Sequence, residues 1–240
     1  MKLKKMEIHN YWEDIDLRLE NLIKNGYVKL PSLESFEINK LAIDINAEMN
    51  GSTFLELCPS HDFFLKKLRI HEILTPKLYS IARNEFGYKG DMSNQYHIAR
   101  LVEAGNVKEM YRAHFDSHLF TLVLPIKIPQ LDNSTSIGDL IYFPKARSTP
   151  RSELENFFGK LTHKRFATRN GIEHFSKNHN KLTDNFLDYK PLLFIGNTTL
   201  HTNKQVSADC KTYRLTLLAH FFDPSPKYGV GGALRIIRNR

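Results

Sequence analysis

Tyr111-Arg112-Ala113-His114-Phe115-Asp116 and the strand-like Phe120-Thr121-Leu122-Val123-Leu124-Pro125-Ile126 just after it decide how this chain reads. Residues two apart on a strand face the same way, so a strand through this stretch lets His114 and Asp116 address one metal ion. A third ligand must come from a distant strand. His201 fits, because it follows Pro191-Leu192-Leu193-Phe194-Ile195-Gly196-Asn197, a buried strand ending in a turn. Two imidazoles and one carboxylate make a facial triad suited to Fe(II), with three coordination positions left open.

Thirteen residues beyond His201, Arg214 lies in Tyr213-Arg214-Leu215-Thr216-Leu217-Leu218-Ala219-His220. Alternation puts Arg214, Thr216, Leu218 and His220 on one face and Leu215, Leu217 and Ala219 on the other. An arginine in so apolar a strand is costly to bury without an anion. With the hydroxyl of Thr216 it offers a fork for a carboxylate. On the strand before the His-x-Asp, Gln95, His97 and Ala99 alternate with Tyr96, Ile98 and Arg100, and either face could look into the pocket.

Working outward, short segments rich in Ile, Val, Leu, Phe and Tyr recur at 94–102, 120–128, 139–143, 192–195 and 213–222, bounded by turn signals. Residues 1–93 read as mainly helical. One amphipathic helix spans 10–25 and stops at Gly26, a short strand runs from Tyr27 to Leu30, and a helix covers 35–49. Two more helices lie between His61 and Phe86, the second opening with Thr75 as N-cap before Pro76. Helices followed by antiparallel strands predict an α+β chain, a double-sheet jelly roll over 94–223 buttressed by N-terminal helices. Residues 145–190 interrupt the strands with ten Lys or Arg against five Asp or Glu, opening on the capping-box start Ser152-Glu153-Leu154-Glu155. They read as an insertion, either a substrate lid or a decoration. Residues 224–240 form a basic tail.

The 240 residues suit one domain with a sizeable core. With 41% hydrophobic and 25% charged residues the composition is that of an ordinary globular protein. No apolar run reaches the roughly 18 residues of a membrane span. The basic start Met1-Lys2-Leu3-Lys4-Lys5-Met6 lacks the apolar stretch of a secretory signal. Cys58 and Cys210 form neither a disulfide framework nor a CxxC pair, so a reducing, cytoplasmic setting is expected. The net charge of +8 fits an enzyme with anionic substrates or a nucleic-acid binder. Its lysines are interleaved with acids in no dense run, which makes nucleic acid the weaker reading.

The ordered set, His114-x-Asp116, then Gly138-Asp139-Leu140-Ile141-Tyr142-Phe143-Pro144, then Gly196 to His201, then Arg214-Leu215-Thr216, resembles the Fe(II)/2-oxoglutarate-dependent oxygenase superfamily. The pattern is nearest to its prolyl-4-hydroxylase-like and phytanoyl-hydroxylase-like branches. The resemblance covers residues 94–223 and implies a double-stranded β-helix, in agreement with the jelly roll reached from the strands. It implies that His114, Asp116 and His201 ligate iron and that Arg214 pairs with the distal carboxylate of 2-oxoglutarate. Thr216 would add a hydroxyl hydrogen bond, and Thr121 and Leu140 would line the co-substrate pocket. The implied chemistry consumes O2 and 2-oxoglutarate, releases succinate and CO2, and hydroxylates a substrate. Pro125 stands where prolyl-hydroxylase relatives often place a tyrosine that touches 2-oxoglutarate, which weakens a peptidyl-proline assignment. Asp116 argues against halogenation, which needs Ala or Gly there.

The expected substrate is a small polar or anionic metabolite such as an amino acid or sugar acid. A protein hydroxylase shares every catalytic residue and differs only in its groove. An oxidative demethylase on nucleic acid would need a basic stripe with exposed aromatics, for which Phe157, Phe158, Phe166 and Phe175 offer a weak version. Arg100, Arg112 and His118 are the candidate substrate contacts. Surface ion pairing is the ordinary role for the arginines and a solvated loop the ordinary place for His118.

Overall fold

The computed structural model describes residues 11–34, 38–57, 63–108, 110–129, 136–150, 155–156, 159 and 166–224. Helix α1 (Ile15–Asn25) places Ile15, Leu19 and Leu22 on one buried face, and Gly26 ends it at φ 85°. Helix α2 (Ile38–Met49) buries Ile38, Leu41, Ala42, Ile45 and Met49, and stops where Asn50 and Gly51 both adopt positive φ. A short α3 (Phe63–Lys67) and a π-helical turn (Ile70–Leu74) then lead straight into α4 (Thr75–Phe86).

That continuity corrects one expectation: Thr75 is not an N-cap. Leu74 before it is already helical, the Thr75 N–H bonds back to the Ile70 carbonyl, and its hydroxyl is buried without a partner. Pro76 fits because the first turn of a helix has no use for its missing N–H.

The strands are β1 (Tyr27–Lys29), β2 (Phe54–Glu56), β3 (Gln95–Val102), β4 (Phe120–Lys127), β5 (Leu140–Phe143), β6 (Leu182–Asp184), β7 (Leu192–Ile195), β8 (Leu200–Asn203) and β9 (Arg214–Phe221). They form a six-stranded sheet in the order β1-β7-β4-β9-β3-β2 and a three-stranded sheet β6-β5-β8, antiparallel throughout. Two facing antiparallel sheets with helices behind the larger one make the double-stranded β-helix.

Alternation assigns the faces. Ala99 and Leu101 of β3, Leu122 and Leu124 of β4, and Leu215, Leu217 and Ala219 of β9 meet α1, α2 and α4 in the larger core. Val102, Val123, Leu140, Tyr142, Leu192, Phe194 and Val206 form a second core between the sheets. Arg214, Thr216, Leu218 and His220 lie on that inner face, as alternation requires. The β3 register, with Tyr96 opposite His220, Ile98 opposite Leu218 and Arg100 opposite Thr216, selects Tyr96, Ile98 and Arg100 as the inward set. His97 faces the helices instead and packs on Phe221 and His71.

Pro125 sits inside β4, a central strand, without breaking it. The β7 ladder covers only Phe120 to Val123, and the β9 register shifts at Pro125/Lys127. The missing N–H therefore falls where no ladder needs it.

Within 145–190, helix α5 (Arg169–Ser176) starts at Thr168, whose hydroxyl accepts from the Gly171 N–H. It packs Ile172 and Phe175 with Phe166 on Phe143, Phe115 and Leu200, behind the small sheet, to which β6 adds an edge. At the root of the segment, the Arg147 guanidinium stacks on Phe115 and donates to the Asn197 carbonyl. Ser152 to Leu154, Phe157, Phe158, Cys58, the first six residues and the 225–240 part of the tail lie outside the described residues.

Candidate active site

His114 and His201 are held together by the backbone. Each N–H donates to the other's carbonyl at 3.1 Å, forming an isolated antiparallel bridge. This corrects the expectation of a regular strand through the His-x-Asp. Only His114 pairs in the bridge, Asp116 is anchored separately through its N–H to the Gly196 carbonyl, and the chain bends at Ser117–Leu119.

The side chains converge. Asp116 Oδ1 lies 3.6 Å from His114 Nε2 and 3.7 Å from His201 Nε2, and the two rings are 4.4 Å apart. Among the described residues this is the one cluster of His, Cys, Asp or Glu side chains with metal-binding spacing. Asp116 and His201 are buried, whereas the His114 side chain is 52% exposed, so one edge of the site faces outward.

Both imidazoles are oriented in the same way. His114 Nδ1 meets the Arg112 carbonyl at 2.8 Å and His201 Nδ1 meets the Thr199 carbonyl at 3.2 Å. A carbonyl can only accept, so each Nδ1 carries its proton, and in the neutral ring Nε2 has its lone pair free for a metal held between the rings and Asp116 Oδ1. This donor set fits a divalent metal without rearranging a tautomer.

Electrostatics agree. Burial, with His201 and Arg100 adding like charge, pulls the His114 imidazole down to about 4 despite its exposed edge and the opposing carboxylate. Burial pushes the Asp116 carboxyl up, but His201, His220, His114 and the Thr121 hydroxyl outweigh it and hold it far below the usual range. Neutral His114 and ionised Asp116 are the forms in which these side chains bind a metal ion.

Arg214, at the start of β9, is 6% exposed. Its guanidinium donates to the Gly138 carbonyl and to Asn203 Oδ1, while its Nε is buried with no partner. Neutral acceptors hold it in place without cancelling its charge. Burial and the nearby Arg100 pull its pKa down to about 10, with Asp139 opposing, so it stays cationic at neutral pH. A buried guanidinium with an orphaned N–H suits an anion. Thr216 is buried two residues on, and Leu140 lies in the inner core opposite Asn203. Gly138 adopts φ 83°, and a β-carbon there would fall 2.7 Å from Val206 and 3.1 Å from Arg214.

Arg100 is half-buried on β3 directly across from Thr216, close enough to Arg112, Arg214 and His114 for its charge to act on each. Arg112 is exposed. His118 is not solvated: the bend after Asp116 turns it inward, 8% exposed, with its ring near-parallel to His220 at 5.2 Å and to Tyr96 at 6.3 Å.

Thr121 is tied directly to the metal-site carboxylate. Its hydroxyl donates to Asp116 Oδ2 at 2.5 Å and lies 3.1 Å from His220 Nδ1. Sequence reading missed Asn203, which alternation from His201 along β8 would have found, and the part Gly196 plays. A β-carbon on Gly196 would lie 2.7 Å from Thr121 Oγ1 and 3.0 Å from Asp116 Cβ.

No protein-family model and no curated protein sequence matches the chain. Solved structures do match. A prolyl hydroxylase from Trichoplax adhaerens, in complex with a hypoxia-inducible-factor peptide fragment, aligns at TM-score 0.54 and 11% identity, over 92% of this chain and 94% of that one. A prolyl-4-hydroxylase from Pseudomonas putida aligns at 0.53 and 13%, over 86% and 93%. A non-haem α-ketoglutarate-dependent epimerase from nogalamycin biosynthesis aligns at 0.52 and 14%, over 88% and 84%. Likeness at these identities speaks to architecture: the chain has the double-stranded β-helix fold found among 2-oxoglutarate-dependent oxygenases.

Proposed function

We propose that this chain is a non-haem Fe(II)/2-oxoglutarate-dependent oxygenase that hydroxylates a small polar or anionic metabolite. The observation that carries this reading is the convergence of His114 Nε2, Asp116 Oδ1 and His201 Nε2 in a barrel that also buries the uncompensated Arg214. When bound, Fe(II) with 2-oxoglutarate and O2 would supply the oxidising power, one oxygen atom going to the substrate and the other to succinate, formed with CO2 from 2-oxoglutarate.

The protein's part is positioning. The two imidazoles and Asp116 Oδ1 would hold the metal, and three protein ligands would leave positions for the substrates. Arg214 and Thr216 anchor the far carboxylate of the co-substrate, with Thr121 and Leu140 on the surrounding wall. The exposed edge of His114 marks the approach for substrate, flanked by Arg100 and Arg112, whose charge favours an anion. His118, stacked with His220 and Tyr96, is the third candidate substrate contact. The whole of 1–240 acts as one oxygenase domain with 94–223 as its catalytic core, in a cytoplasmic setting.

The test is succinate release from 2-oxoglutarate with Fe(II), run against a panel of amino acids, sugar acids and phosphorylated metabolites, with prolyl peptides alongside. The expected result is stimulation by a small anion together with a product one oxygen atom heavier. Stimulation by peptides alone would replace this reading with a protein hydroxylase.

A further inference from the structure

The Asp116 carboxylate offers one oxygen to the site and gives the other away. Oδ1 faces both Nε2 atoms, while Oδ2 accepts the Thr121 hydroxyl at 2.5 Å. Thr121 has one proton, and donating it to Asp116 leaves its oxygen to accept. The group in position to supply that proton is His220 Nδ1, 3.1 Å away and directly across the β4–β9 ladder. The His220 ring is itself set in place, near-parallel to His118 at 5.2 Å and to Tyr96 at 6.2 Å. Gly196 closes the arrangement from the other side. It gives its carbonyl to the Asp116 N–H, and it leaves no room for a β-carbon beside the Thr121 hydroxyl.

The geometry points to a positioning relay, His220 to Thr121 to Asp116, that fixes the carboxylate as a one-oxygen metal ligand. It rests on the metal-site reading above and adds a positioning role for Thr121 and His220, exerted through Asp116. A carboxylate free to rotate could swing Oδ1 away or turn both oxygens inward. The first motion would take a ligand away and lower metal affinity; the second would close a position that the chemistry needs open. Outer hydrogen bonds of this kind are worth about 10–100-fold in metal affinity.

The experiment is Mn(II) titration of the full chain, followed by electron paramagnetic resonance of the free ion, with thermal melting of each metal-free protein. Thr121→Val keeps the shape and removes the hydroxyl; Thr121→Ser restores it. The relay predicts that Thr121→Val weakens Mn(II) binding by about 10–100-fold while Thr121→Ser stays within about threefold of wild type. His220→Phe, which keeps a ring in the stack but no donor, falls between them. Equal affinity in Thr121→Val and wild type would overturn the relay and leave the metal site standing, as would equal losses in Val and Ser. If Thr121→Val does not fold, wild-type affinity in His220→Phe would likewise overturn it. Absence of Mn(II) binding by the wild-type chain would instead remove the metal-site reading itself.

Discussion

Asp116→Ala lowers Fe(II)-dependent succinate formation by about a thousandfold or more, equivalent to ~4 kcal/mol of barrier. The substitution removes the sole anionic ligand, the one oxygen that both Nε2 atoms face. The metal-free fold survives, because the backbone anchor from Asp116 N–H to the Gly196 carbonyl does not use the side chain. Circular dichroism of the metal-free variant together with the turnover assay separates these effects. Activity within about tenfold of wild type, a loss under ~1.4 kcal/mol, would remove Asp116 from the reaction. His114→Ala behaves alike in turnover, and its exposed position makes it the milder change for stability.

Arg214→Ala acts on the other substrate. Truncating one partner of a buried, hydrogen-bonded charge pair costs roughly 2–5 kcal/mol, so the 2-oxoglutarate KM rises by about 30-fold to several thousandfold. Part of the loss appears as stability, since the Gly138 carbonyl and Asn203 Oδ1 lose their donor, at about 1–3 kcal/mol for each acceptor left buried. Arg214→Lys keeps the charge but not the planar fork, and it recovers part of the affinity. An unchanged KM in Arg214→Ala would place the co-substrate elsewhere.

Much of this was legible in the sequence wherever a strand is long enough to alternate. The eight residues of β9 separate Arg214, Thr216 and His220 from Leu215, Leu217 and Ala219, and the structure keeps that division. The shorter strands β2, β6 and β8, of three or four residues, are too short to stand out as strands, and with β8 unread the alternation that links Asn203 to His201 was missed. The inward face of β3 was not readable either, because Tyr96, Ile98 and Arg100 are no more polar as a set than their neighbours. Only pairing with β9 decides it. His118 misled for a related reason: a polar residue two beyond a ligand reads as solvated, yet the bend at Ser117–Leu119 folds it onto His220. Side chains that hold a ligand through hydrogen bonds, as Thr121 holds Asp116, leave no spacing signature, since their partner is set by strand register rather than by distance along the chain.

The most direct test of the site as a whole is calorimetric titration of N-oxalylglycine, an unreactive mimic of 2-oxoglutarate, into the anaerobic protein with and without Mn(II). Binding that requires Mn(II) and is lost in Arg214→Ala is the predicted result, because the metal triad and Arg214 each hold one end of the same molecule. Binding that is equal with and without metal, or absent in both, would contradict it.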